Sequence, residues 1–169
     1  MVSKLNPSQR VSLDALVASR RLEAVPIDDD RATSFLDLAE DTLVDVANVR
    51  LPQNSYNLAY DAAHAVGEAL LARHGYRTKN GPGQHEALAR FLRIVLDTPP
   101  HDADARHFDR MRRARNQMHY EARPVSEADA DKAARTARAL LTAATHSPPS
   151  EITYRSECDA IDLNVAGVW

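Results

Sequence analysis

Apolar residues recur along this chain at intervals of three and four, and no segment alternates with the period of two that marks a half-buried strand. The pattern predicts helices throughout. A first helix takes Asn6 as its cap and Pro7 as its first residue, and brings Val11, Leu13, Leu16 and Val17 roughly to one side before Pro26. A second, from about Asp30 to Arg50, carries a broad apolar face of Phe35, Leu36, Leu38, Leu43, Val46, Ala47 and Val49 and is stopped by Pro52. Asp28, Asp29 and Asp30 lie at its start, where the helix dipole favours negative charge. A third, from Ser55 to His74, is dominated by small residues, among them Ala59, Ala62, Ala63 and Gly67, which permit close helix approach. It ends at Gly75, where the chain can turn left-handed.

The polar stretch from Tyr76 to Gly83 is predicted to be a flexible loop, and HEALARFLRIVL after it is predicted to form a fourth helix before Pro99 and Pro100. A fifth helix runs from about Asp102 to Glu121. A sixth starts after Ser126, which with Asp129 resembles a capping arrangement, and continues through Ala144. Short connections between the later helices favour antiparallel neighbours. The expected fold is therefore all-α, an up-and-down helical bundle of about five to six helices spanning residues 1–146. From Ser147 the texture changes: SPPSEITYRSECDAIDLNVAGVW has no 3.6-residue period, and residues 147–169 read as an irregular C-terminal tail. Ile152, Tyr154, Ile161, Leu163, Val165 and Trp169 leave open whether that tail packs on the bundle or docks on a partner.

Composition narrows the function classes. A chain of 169 residues with a formal net charge of -3 has room for one domain and is not a wholesale electrostatic binder of nucleic acid. The lone Cys158 makes neither an internal disulfide nor a zinc site, and no histidine pair has a metal-ligand spacing, so neither metal nor cofactor is expected. There is no P-loop, GxGxxG or GxSxG motif. Without a long apolar run or a signal-type N-terminus, the expectation is a soluble cytoplasmic protein with no membrane association.

Against that acidic background, residues 106–115, RHFDRMRRAR, set five arginines against one aspartate. At about 100° per residue, Arg112, Arg115 and His119 fall on one stripe while Arg113 points elsewhere. Two guanidiniums and an imidazole suit a phosphodiester: arginine forks match phosphate oxygens, and histidine moves protons near neutral pH. A solvated face paired with acids on neighbouring helices is the plainer alternative. Asn116 and Tyr120, four apart, are surface neighbours that could position a ligand or simply satisfy each other. His64 reads as a core or interface residue, and His74 and His85 flank the polar loop.

SYNLAYDAAHAVGEALLARHGYRTKNGPGQHEAL together with RRARNQMHYEARPVSEADADKAARTARALL resembles the HEPN superfamily over about residues 30–145. The resemblance implies a helical bundle that forms a homodimer. It also implies a late helix bearing an Arg, then a polar residue, often Asn, with a His four to six residues beyond the Arg. In active members two such motifs meet across the dimer and cleave RNA without metal, the 2′-hydroxyl attacking the adjacent phosphate. Arg115 and Asn116 look like the Arg-Asn pair; Tyr120 stands where the histidine most often falls, and His119 comes one residue early. Counted from Arg113, five residues intervene before His119. The implied catalytic set is Arg115, Asn116 and His119, with Arg112, Arg113 and Tyr120 binding substrate.

Two main expectations follow. The first is a metal-independent endoribonuclease of toxin or defence type. The second is a non-catalytic dimer that binds nucleotide, RNA or a protein partner such as an antitoxin or nucleotidyltransferase. A purely structural adaptor working through the tail is a third.

Overall fold

Residues 5–121 and 124–146 are described by the computed structural model, with the backbone alone for residues 118–121. The predicted tail, 147–169, lies outside the described residues. Among the described residues the chain forms α1 (Pro7–Ala18), β1 (Leu22–Ala24), α2 (Asp29–Val46), α3 (Pro52–Arg73), β2 (Tyr76–Thr78), α4 (Gln84–Val95), α5 (His101–Glu121) and α6 (Glu127–Thr145). The class is all-α, a bundle of helices.

Local chemistry sets the helix starts. Asn6 and Gln9 form a reciprocal capping box on α1, with Asn6 Oδ1 accepting from the Gln9 amide at 2.8 Å and Gln9 Oε1 accepting from the Asn6 amide at 2.9 Å. Gln9 Nε2 also donates to Ile94 O at 3.0 Å, which ties α1 to the end of α4. Asp28 caps α2 by accepting from the Arg31 amide, with Asp29 and Asp30 in the first turn. Ser126 caps α6 by accepting from the Asp129 amide at 3.1 Å. Pro52 does not end α2. It opens α3, because a residue without an N–H costs nothing at the first helical position.

Two faces are narrower than the periodicity suggested. In α2 the buried positions are Ala32, Leu36, Ala39, Leu43 and Val46, a strict alternation of four and three, and Leu38, about 200° round from Leu36, is 52% exposed. In α1 only Leu13 and Leu16 are buried, and Val11 stands 69% exposed on the other side. The expectation of no strand is corrected as well. Leu22–Ala24 and Tyr76–Thr78 pair antiparallel in the register Leu22 to Thr78, with Arg77 bonded across to Glu23 at 3.0 Å. Three residues are too few to show a period of two, and the pairing joins segments far apart in sequence. Gly75, at φ +74, supplies the turn from α3 into β2, where a side chain would meet Val25 O at 2.8 Å.

α3 is the axis of the molecule. Thirteen of its residues, from Tyr56 to Ala72, are buried, and it packs against α2, α4, α5 and α6. A Cβ at Gly67 would lie 2.9 Å from Leu88 Cδ1 and 3.0 Å from Cδ2, so α4 approaches α3 as closely as the missing side chain allows. Leu88 is fully buried, so a side chain at position 67 has to move it within a close-packed interior. Gly67→Val is therefore expected to destabilise the protein by about 1–3 kcal/mol through overpacking. A urea midpoint at or above the wild-type value would show that α4 does not seat on this glycine.

Candidate functional site

The basic segment of α5 meets the middle of α3 and the first turn of α4. Arg115 reaches across to α3, where its Nη1 donates to Asp61 Oδ1 at 2.8 Å and its Cζ sits 4.8 Å from the centre of the Tyr60 ring. That ring, almost fully buried, stacks parallel on Phe108 of α5 at 5.4 Å. One tyrosine thus joins α3 to α5 and supports the guanidinium, whose side chain is 29% exposed. Arg112 and Arg113 share a single carboxylate, Asp109, with Arg112 Nε donating to Oδ1 at 3.0 Å and Arg113 Nη2 donating to Oδ2. Arg112 is folded inward at 17% exposure, whereas Arg113 stands at 64%.

Each of the three arginines thus has a carboxylate partner. Burial favours a neutral Asp109, but the hydrogen bonds from Arg112 and Arg113 outweigh it and hold the carboxyl below its ordinary range. Asn116 is exposed on α5. His119 and Tyr120 continue the same helix in backbone, and their side chains lie outside the described residues. Among the described residues, no group of three or more His, Cys, Asp or Glu is placed to hold a metal ion. Nor is any helix there long and apolar enough to cross a membrane.

Two histidines join this site. His64 lies one turn after Tyr60 on α3, and His85 opens α4; their rings are 4.8 Å apart. His85 Nδ1 lies 3.2 Å from Tyr60 Oη. His64 Nε2 is buried with no hydrogen-bond partner. Burial, then His85, then Arg115 lower the His64 pKa to about 4. His85 is lowered too, by burial first and then by Arg115 and Arg112, against a smaller opposing effect of Asp61. Tyr60 is pushed up to about 12, chiefly by burial, with the two arginines pulling the other way. Near neutral pH the site therefore combines two cationic guanidiniums with two uncharged imidazoles and a protonated phenol.

Tyr60 and His64, four apart, announced a shared helix face. Nothing local placed His85 or Arg115 beside them, since those contacts follow from the packing of three helices. Comparison of the chain with protein-family models, curated proteins and solved structures finds no significant match.

The lowered His64 pKa has a consequence for stability. Between pH 6.5 and about 4 the unfolded chain binds a proton at this histidine that the folded chain refuses, so stability falls as pH falls through that window. His107, lowered to about 4 chiefly by burial, and His74 act in the same direction. His64→Gln is expected to remove part of the acid sensitivity, seen as a smaller loss of thermal midpoint across the window. An unchanged loss would mean that His64 titrates normally in the folded protein.

Proposed function

We propose that this chain is an RNA-handling protein of HEPN-like type, in which the α5 face of Arg112, Arg115, Asn116 and His119 binds a phosphodiester backbone and supports its cleavage. The observation that carries this reading is the fixed, partly exposed guanidinium of Arg115, seated on Tyr60 and flanked by Arg112 and two histidines. Phosphate binding by arginine gains from such preorganisation, because the side-chain entropy is already spent. In the cleavage step the 2′-oxygen bonds to the adjacent phosphorus as the P–O5′ bond breaks, leaving a 2′,3′-cyclic phosphate and a 5′-hydroxyl. The arginines offset the charge that builds on the phosphorane oxygens. The resemblance gives His119 the role of acid or base, and gives a second copy of the chain the role of facing this surface across a two-fold axis.

A binding-only dimer, engaging RNA, nucleotide or a protein such as an antitoxin or nucleotidyltransferase, is the second reading. Asp61 favours it: a carboxylate already on Arg115 must be displaced or shared before a phosphate enters.

RNA binding followed by fluorescence anisotropy against salt tests both forms. Arg115→Gln is expected to weaken binding about tenfold, the scale of a lost charge-assisted hydrogen bond. It should also lower the log–log salt slope by about 0.7, one single-strand phosphate contact. Affinity indifferent to salt would count against an RNA partner. Cyclic-phosphate products that disappear in His119→Ala select the nuclease, and binding without products selects the second reading. Light scattering is expected to give a dimer at micromolar concentration.

A further inference from the structure

We propose that His85 is the general base of this site, taking the proton of the attacking 2′-hydroxyl on Nε2, and that Tyr60 is its positioning residue. The assignment rests on the nuclease form of the function proposed above. It starts from geometry. Arg115, at 4.8 Å from ring centre to Cζ, and His85, at 3.2 Å between Oη and Nδ1, both lie against Tyr60. A phosphate held by Arg115 and Arg112 is thereby brought next to an imidazole on a different helix. Of the two histidines here, His85 is the exposed one and can meet a substrate, whereas His64 is mostly covered.

The contact with Tyr60 can form with either tautomer of His85, and the base assignment takes the one in which Nδ1 is the donor. With hydrogen on Nδ1, the imidazole donates to Tyr60 Oη and keeps a lone pair on Nε2. A base oriented by a second group behind it is the arrangement that proton abstraction from a hydroxyl requires. The groups that face His85 are Tyr60, Asp61 and His64 on α3 and Arg112 and Arg115 on α5. Burial and the two guanidiniums keep the resting ring uncharged, and Asp61 opposes them only in part. During reaction the O2′–H proton passes to Nε2, O2′ bonds to phosphorus, and the P–O5′ bond breaks. O5′ takes a proton from the general acid, the part of the acid-or-base role that this assignment leaves to His119, and solvent carries the proton of His85 back to that acid. No oxidant, reductant or further reactant is needed.

The test is cleavage of single-stranded RNA by the full chain, wild type against His85→Gln and Tyr60→Phe, with RNA binding and circular dichroism measured alongside. His85→Gln is expected to lose cleavage by about a hundredfold or more, the usual share of a general base, while RNA affinity stays within about twofold. Tyr60→Phe keeps the ring under Arg115 but removes the oxygen that accepts from Nδ1. Its cleavage is expected to fall about tenfold and the acid limb of its rate profile to move to lower pH, since the imidazolium loses an acceptor. A merely structural tyrosine would leave that limb in place. Wild-type cleavage rate and pH profile in His85→Gln would overturn the base assignment and leave the arginine face as an RNA site. A wild type that binds RNA without cutting it overturns the assignment as well, and one that neither binds nor cuts removes the functional reading along with it.

Discussion

Everything around the candidate site depends on how closely α4 is allowed to approach α3. Gly67 and Leu88 make that contact, with the Leu88 methyls at the distance where a glycine Cβ would have been. His64 and His85 stand three residues before this pair on their respective helices, so the same approach that seats Leu88 brings the two imidazoles to 4.8 Å. A larger residue at position 67 would have to lift α4 or rotate Leu88, and neither is cheap where the leucine is fully buried in a close-packed interior. The fold and the site share one steric constraint.

A second constraint is electrostatic. Three arginines in a short segment of α5 would repel one another if left alone, and the structure answers with Asp109 on the same helix and Asp61 on α3. Whereas Arg112 and Asp109 are mostly buried, Arg113 and Asp61 are well exposed, so the pairs they make add little to stability. Their effect is on direction. Asp109 draws Arg112 inward and leaves Arg113 in solvent, and Asp61 holds Arg115 down on Tyr60. The basic run is thereby divided into an outward cation and an inward pair that borders the histidines.

The helices were legible because each carries its own signals: the Asn6 cap, the acids of Asp28 to Asp30, the small-residue run of α3 and the Ser126 cap all act locally. The misses have one kind of cause. Pro52 can stop one helix or start the next, and only the connection length decides between them. The β1–β2 pair is too short for periodicity and closes across two whole helices, α2 and α3. The angular separation of Arg113 from Arg112 and Arg115 could be read from helix geometry, whereas the partners of those arginines could not. His85 read as a loop neighbour because its meaning depends on Tyr60 and His64, 25 and 21 positions earlier in the numbering. Sequence spacing reports faces of single elements, and this site is assembled from three.

Tyr60 shows why such an assembly resists piecemeal reading. Its ring stacks on Phe108 and lies under Arg115, and its hydroxyl meets His85, so core packing, cation support and imidazole orientation all fall on one side chain. Burial favours the ring and penalises its ionised form, which keeps the phenol protonated beside two guanidiniums that would otherwise promote a phenolate. A phenolate here would pair with Arg115 and compete with any incoming phosphate. The same burial that makes Tyr60 a core residue therefore leaves the arginine available to an external anion, and among the described residues only the carboxylate of Asp61 is paired with it. Asp61 is half exposed, so a phosphate can share or displace it at modest cost, whereas a buried phenolate could not be displaced without unpacking α3 from α5.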